Sequence, residues 1–397
     1  MQIDQILKKY WGYDSFRPLQ RDIIESVMSG HDTLGLMPTG GGKSITFQVP
    51  GMAFESGLTV VVTPLISLMK DQVDNLKRRG ITAVMLNSGM SARETRVAWE
   101  RLTNGRARFL YVSPEKLRNP KFLDELRLLP VRLIVVDEAH CISQWGYDFR
   151  PSYLKIAELR KVHPSVPVLA LTATATPTVA DDIMARLGFR TGAAKFKMSF
   201  VRDNISYLVR ESENKMTDIL HILSRTQGSG IVYVRSRRKT REIAEYLSVA
   251  GISADYYHAG LTYETKTERQ TRWQRGEVRV MVATNAFGMG IDKPDVRTVV
   301  HGDFPPSLEE YYQEAGRAGR DGLTSYAVLL ASKTDKATLR RKLKQTFPDR
   351  ADILKIYERA CNFMHLSIGE GYGRLIEFDL DLFCETFHMP VSYTHLR

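Results

Sequence analysis

The chain is poor in cysteine and has no long apolar run, and each shortage excludes something. Its three cysteines, Cys141, Cys361 and Cys384, are too few and too scattered in 397 residues for a disulfide framework, which fits a reducing compartment. No stretch approaches the roughly 18 consecutive apolar residues that a membrane-spanning helix needs, so no membrane association is expected. Residues 1–12 carry Lys8 and Lys9 but no apolar segment followed by a small-residue cleavage site. Nothing there suggests export, and a cytoplasmic place is expected. Neither a short-period repeat nor a low-complexity stretch is present.

What is there is ordinary globular material with a basic excess. A hydrophobic content of 43% lets each domain have its own core, and about 150 residues per domain gives two to three domains. Lys and Arg number 56 against 45 Asp and Glu, a net charge of +11 that suits a polyanionic partner without requiring one.

Short apolar, β-branched runs at 33–36, 58–63, 109–112, 133–136 and 166–171 each lead into a Gly-, Pro- or Ser-containing turn and then a helical pattern. That alternation predicts a mostly parallel sheet buried on both faces. A second set follows at 230–234, 278–283, 298–300 and 326–330, with helical segments such as 239–250 between. The expected fold class is α/β: two tandem doubly wound parallel-sheet domains, 1–204 and 205–337, and a small helical C-terminal extension, 338–397. Arg202, Asp203 and Asn204 interrupt the pattern at the junction, before a helix at 216–223. Between 335 and 359 eight basic residues face four acidic ones, either a solvated helix face or a surface for a polyanion backbone. Residues 391–397 close no element, and a truncated chain is expected.

Three segments carry chemistry. After the first strand comes Met37-Pro-Thr-Gly-Gly-Gly-Lys-Ser44, where Gly40, Gly41 and Gly42 leave room for phosphate oxygens to meet backbone N–H groups at a helix N-terminus. Lys43 is expected to reach the β- and γ-phosphates and Ser44 to ligate Mg²⁺, although Met37 stands where the strict motif has glycine. The helix that follows is expected to stop before Pro50. After the strand at 133–136 comes Asp137-Glu138-Ala139-His140, at a strand end where open α/β sheets bind ligands. Asp137 is placed to hold Mg²⁺ and Glu138 to orient or deprotonate the attacking water. In the second set, Gln313-Glu-Ala-Gly-Arg-Ala-Gly-Arg-Asp321 presents Arg317 and Arg320 three apart among small residues. Arg320 is expected to insert into the phosphate site from the other domain, with Arg317 as its support and Gln313 beside them.

With these motifs in place the sequence resembles superfamily 2 helicases, and specifically the RecQ family of ATP-dependent DNA helicases. The most specific match is Leu7-x₃-Trp11-Gly12-x₃-Phe16-Arg17-x₂-Gln20, similar to that family's adenine-recognition motif. The resemblance implies two RecA-like domains, with Tyr13 stacked on adenine, Gln20 bonded to its edge and Arg17 near the nucleotide. It also implies single-strand contacts from Thr63 and Ser67 in Thr63-Pro-Leu-Ile-Ser67, and from Ser113 in Tyr111-Val-Ser-Pro-Glu115. Thr172-Ala-Thr-Ala175 resembles the element linking hydrolysis to unwinding. Residues 283–292 resemble a segment in which Thr284 and Asn285 meet the DNA backbone while Gly288 and Asp292 meet the nucleotide. Ser143-Gln-Trp-Gly-Tyr-Asp-Phe-Arg-Pro151 resembles the family's aromatic-rich loop, so Trp145 and Phe149 are expected to stack on unpaired bases and Arg150 to approach phosphate or base. The implied activity is Mg²⁺- and ATP-dependent 3′ to 5′ movement on single-stranded and forked DNA in repair and recombination, by a protein associated with the nucleoid when on DNA.

The resemblance covers roughly 1–340 and weakens beyond. Many members have a four-cysteine zinc site and a winged helix; here Cys361 and Cys384 stand alone in that stretch, with no C-x₂-C pair. His365 and His388 each follow a cysteine by four, a spacing open to a Cys₂His₂ site. The preferred reading is two cysteines packed as small hydrophobes on helices 353–366 and 380–387, and no zinc is expected. A second basic cluster, Arg235, Arg237, Arg238, Lys239 and Arg241, reads as a solvated helix start or as a DNA backbone track. A nucleotide-gated DNA-binding or annealing module is the rival function.

Overall fold

The β-branched runs become buried parallel strands. A computed structural model describes residues 2–388 other than 88, 147, 174, 289–292, 374 and 375. Strands β1 (Thr33–Leu36), β2 (Leu58–Val62), β3 (Ala83–Leu86), β4 (Phe109–Val112), β5 (Val131–Val136), β6 (Val168–Thr172) and β7 (Ala194–Lys197) form one sheet in the order β3-β4-β2-β5-β6-β1-β7. The strand pairs run parallel. Successive side chains alternate between faces: Val60, Val62, Ile134 and Val136 join one apolar layer, Val61, Leu133 and Val135 the other. Sequence reading missed β3 and β7. Both are edge strands, and β7, Ala-Lys-Phe-Lys, is partly exposed with charge on alternate positions.

The second sheet comprises β8 (Ile205–Glu211), β9 (Ser229–Tyr233), β10 (Ala254–Tyr257), β11 (Val280–Ala283), β12 (Val296–His301) and β13 (Ser325–Ala331), ordered β10-β11-β9-β12-β13-β8. β8 and β10 were also missed; every residue of β8 after Ile205 is exposed, so no buried run betrays it. Both sheets fall in one compact unit, residues up to 210 with 216–329, while 211–215 and the described residues from 330 onward form a second.

The helix after the phosphate loop, Ile45–Ala53, does not stop before Pro50 but runs through it. An internal proline costs about 3 kcal/mol, whereas each buried Ile, Phe or Val returns roughly 1.5–3 kcal/mol, and Ile45, Phe47 and Val49 are all buried. Burial wins. Gly51 lets this helix lie close on the sheet, since a Cβ there would come within 2.6 Å of Phe109 and 2.7 Å of Thr59.

In the second unit helices Asp335–Thr346, Arg350–Phe363 and Leu380–Thr386 follow one another. The middle helix ends earlier than the expected 366 because His365 adopts a left-handed φ of 53°. Cys361 and Cys384 are buried, and Phe363 makes edge contacts with Phe378, Phe383 and Phe387 at 5.5, 5.4 and 6.5 Å.

Asp32, buried just before β1, ties the first sheet together. It accepts from Val168 N–H (2.9 Å) and Arg190 N–H (2.7 Å) and pairs with Arg160 (2.6 Å) and Arg190 (3.1 Å). Burial pushes its pKa up, but the arginines and backbone donors outweigh it and hold the carboxyl below the usual range. The stabilisation is therefore complete above the unfolded value near 4 and lost as pH falls through the lower folded value. Asp32→Ala should cost about 3–5 kcal/mol at neutral pH by stranding the arginines. Chemical denaturation from pH 7 to 2 should show a smaller loss of stability in acid for the variant than for the wild type.

Candidate active site

β6 lies between β1 and β5, so the loops leaving β1 and β5 emerge on either side of its last residue, Thr172. Thr172 meets both: its carbonyl accepts from Met37 N–H at 3.0 Å, and its hydroxyl lies 2.9 Å from His140 Nδ1.

The phosphate loop is held by its carbonyls. Arg202 donates to Thr39 O (3.1 Å), Arg17 to Gly40 O (2.6 Å), and the Gln20 amide to Gly41 O (3.2 Å) and Gly42 O (3.1 Å). Four consecutive carbonyls are thus engaged from outside. Because a peptide's N–H and C=O point opposite ways, the N–H groups of Gly40, Gly42 and Lys43 face away from those partners, the arrangement an anion requires. Gly40 and Gly42 have φ of 81° and 77°; Gly41 is not left-handed, and its N–H closes a turn on Pro38 O at 3.0 Å.

Gln20 was expected on the adenine edge. The structure occupies it otherwise: it is buried, its NH₂ holds the loop, and its Oε1 accepts from Arg17 N–H at 2.9 Å. Its side chain also lines the cavity beside the loop. Tyr13, half exposed, keeps a free face on the cavity rim.

Across from the loop, Glu138 sits in a left-handed conformation, φ 49°. This uncommon backbone swings its carboxylate towards Lys43 Nζ at 3.6 Å and His140 Nδ1 at 3.4 Å. Burial pushes Asp137 up to about 6, with the Glu138 charge adding to it. Burial also works to raise Glu138, but Lys43, His140 and Arg317 together hold it below the ordinary range. Asp137 and Ser44 both line the cavity beside the phosphate loop and offer oxygen donors of the kind Mg²⁺ prefers.

From the second sheet Gln313, Arg317 and Arg320 line the same cavity of about 530 Å³ as Tyr13, Arg17, Gln20, Gly40, Gly42, Lys43, Ser44, Asp137 and Glu138. A Cβ on Gly40 would lie 3.5 Å from Arg320 Cγ and 3.5 Å from Arg202 Nη1. Arg317 is buried, with Nη2 3.5 Å from the Cβ position of Gly288. Asp292 lies outside the described residues.

A second cavity of about 390 Å³ shares Gln313 and Arg317 with the first and is lined also by Arg150, Lys266, Asn285 and Gly288. Trp145 is 74% exposed. Phe149 is half-buried, and Arg150 pairs with Asp148 through Nε at 3.1 Å and Nη2 at 2.9 Å. The aromatic loop is clamped to the acidic motif. Arg150 N–H donates to Cys141 O at 2.8 Å, and a Cβ on Gly146 would stand 2.6 Å from His140 O.

The hydroxyls of Thr63 and Ser113 are buried just past the ends of β2 and β4. Thr284 is also buried, while Asn285 is exposed; Ser67 lies in the first turn of helix Ile66–Arg78. In the basic cluster Arg235 pairs with Glu310, Arg238 with Glu242, Lys239 with Asp303 and Arg241 with Glu245. Sequence reading missed Arg202, whose partner Thr39 is 163 residues away, a separation no motif spacing signals.

Two family models match the chain: DEAD/DEAH box helicase over residues 17–183 and Helicase conserved C-terminal domain over 213–322. The ATP-dependent DNA helicase RecQ of Haemophilus influenzae is 44% identical over 339 residues, covering 85% of this chain and 54% of that relative. The probable ATP-dependent DNA helicase RecS of Bacillus subtilis is 41% identical over 366 residues, covering 90% of this chain and 73% of that relative. The chain spans about half the length of the first two relatives, 54% and 53%. The fold is shared with S. cerevisiae Dbp5 bound to RNA and ADP BeF3, TM-score 0.67 at 17% identity, covering 87% of this chain and 91% of that one. It is shared also with the helicase MrfA bound to DNA and AMPPNP, TM-score 0.70 at 18% identity, covering 86% and 52%. Two parallel sheets meeting at a phosphate loop, an acidic strand end and an arginine pair define a superfamily 2 helicase. Within that class the chain belongs to the RecQ family.

Gly42→Ala should be costly on two counts, since φ is positive and the added methyl would run into the Gln20 amide. A loss of about 1–2 kcal/mol in chemical denaturation is expected from the backbone alone.

Proposed function

We propose that the chain is a DNA-stimulated ATP hydrolase that moves 3′ to 5′ along single-stranded DNA and opens forked duplexes, working in the cytoplasm on nucleoid DNA in repair and recombination. The observation that carries this reading is the single cavity lined by Lys43 from the first sheet and by Arg317 and Arg320 from the second. A triphosphate seated there is held by both sheets, so its cleavage releases one from the other. Names of the relatives support DNA as the polymer; direction, fork preference and pathway come from family membership. No helix among the described residues is long and apolar enough to cross a membrane, and the reading assigns no role to zinc.

Each side chain has a task in that cavity. The loop N–H groups and Lys43 bind the phosphates, Ser44 and Asp137 hold Mg²⁺, and Tyr13 and Arg17 meet the base end. Mg²⁺ supplies charge neutralisation at the phosphates. Glu138, kept anionic by Lys43, His140 and Arg317, orients the attacking water and takes its proton. Arg320, supported by Arg317 and Gln313, neutralises charge that develops on the leaving oxygens. Trp145 and Phe149 stack on unpaired bases, and the tether from Gly146 and Arg150 to residues 140–141 carries that event to the acidic motif. Asn285 and Arg150 line the second cavity, where the strand's phosphates would pass.

Three experiments test this reading. Lys43→Ala should lose turnover by about 100-fold or more at saturating oligonucleotide; turnover independent of single-stranded DNA in the wild type would remove the motor reading. Trp145→Ala and Phe149→Ala should keep the basal rate but lose most oligonucleotide stimulation, with single-strand affinity reduced by about 1–3 kcal/mol each. In a fork-unwinding assay beside filter binding, retained binding without strand release would favour a remodelling module instead.

A further inference from the structure

One side chain outside every motif touches both halves of the candidate ATP site. Arg202 lies between β7 and β8, in the segment joining the two sheets. Its Nη1 donates to Thr39 O in the phosphate loop at 3.1 Å, and its Nη2 donates to Gly319 O at 2.9 Å and Ala318 O at 3.3 Å. Ala318 and Gly319 are the two residues between Arg317 and Arg320. The far end is fixed as well. Asn204 donates to the same Gly319 O at 2.7 Å and to Leu323 O at 3.0 Å, and its own oxygen lies 3.4 Å from Arg202 Nε.

Gly319 is left-handed at φ 58°, and a Cβ there would collide with the Asn204 amide and come within 2.9 Å of Leu323 O. The turn between the two arginines is therefore built around Arg202 and Asn204. Close packing follows the same seam: a Cβ on Gly316 would lie 3.5 Å from Thr39 Cβ. Arg202 does not line the large cavity. It holds loop and arginine turn at a fixed separation without being placed to touch a nucleotide in that cavity.

We propose that Arg202 is a positioning residue that sets the register of Arg320 against the phosphate loop, acting through the peptide carbonyls of Thr39 and Gly319. A planar guanidinium presents donors in a fixed fork and can bridge two carbonyls at once; a lysine ammonium, a point donor, cannot hold both in one geometry. The inference rests on the ATP-hydrolysing reading above. It adds that the joining segment controls catalytic geometry and is more than a tether.

Five proteins decide the matter: the wild type, Arg202→Ala, Arg202→Lys, Arg320→Ala and the Arg202→Ala/Arg320→Ala double variant, as full chains, with ATP turnover measured at saturating single-stranded oligonucleotide. Arg202→Ala should lower kcat by about 10- to 100-fold, as small misplacements of a catalytic group do. KM for ATP should change less than about threefold, because the loop and Lys43 remain. In the Arg320→Ala background the same change should cost less than about twofold, since a positioning residue has nothing left to position. Arg202→Lys should fall in the same direction, and it stands in for the alanine variant if that one does not fold.

A rise in KM with kcat unchanged would overturn the proposal, as would a full loss that persists in the Arg320→Ala background. Wild-type activity in Arg202→Lys would do so too. A wild type that turns over no ATP would instead sink the motor reading and carry this inference down with it.

Discussion

Everything in the site depends on the way the carbonyls of residues 39–42 are turned outward and tied down. Arg17 and Gln20 come from the N-terminal segment and Arg202 from the segment between the sheets, and each donates to the loop's backbone. Peptide geometry then turns the N–H groups of Gly40, Gly42 and Lys43 away from those partners. A glycine-rich loop left to itself would sample many shapes, because glycine loses the most freedom on ordering. Three side chains from distant parts of the chain hold one of them, preorganising an anion site before any anion arrives.

The opposite wall is built on a different constraint. Glu138 takes a left-handed backbone that few non-glycine residues adopt, two residues past the end of a six-residue strand buried except at Arg132. What holds it there is the polar cluster around it, Lys43 and His140 on its carboxylate and the Tyr153 hydroxyl on the neighbouring carbonyl of Asp137 at 3.0 Å. The aromatic loop closes over this cluster at Gly146, where no larger residue fits. Strain, charge and close packing coincide at the one place where a polymer contact could be transmitted to the phosphate site.

Much of this was legible in the residues. Buried central strands announce themselves by unbroken apolar runs, and β1, β2, β4, β5, β6, β9, β11, β12 and β13 lie where those runs are. β3, β7, β8 and β10 are the edge strands of the two sheets, and β7, β8 and β10 escaped notice because they carry polar or exposed residues. Motif residues were found because their chemistry is local in sequence. What local chemistry cannot tell is where a side chain spends its hydrogen bonds. Gln20 holds the carbonyls of Gly41 and Gly42, Arg150 pairs with Asp148, and the hydroxyls of Thr63 and Ser113 are buried just past the strands they follow. Arg202 read as a break in the pattern, and its importance lies entirely in partners 116 to 163 residues away.

The central claim is that the second sheet supplies charge stabilisation to a triphosphate bound on the first. The most direct measurement is Arg320→Lys, with ATP affinity and single-turnover hydrolysis determined separately in the presence of single-stranded DNA. The account predicts affinity within about threefold of the wild type and a hydrolysis rate lower by about 10³-fold or more. Hydrolysis at the wild-type rate would contradict it.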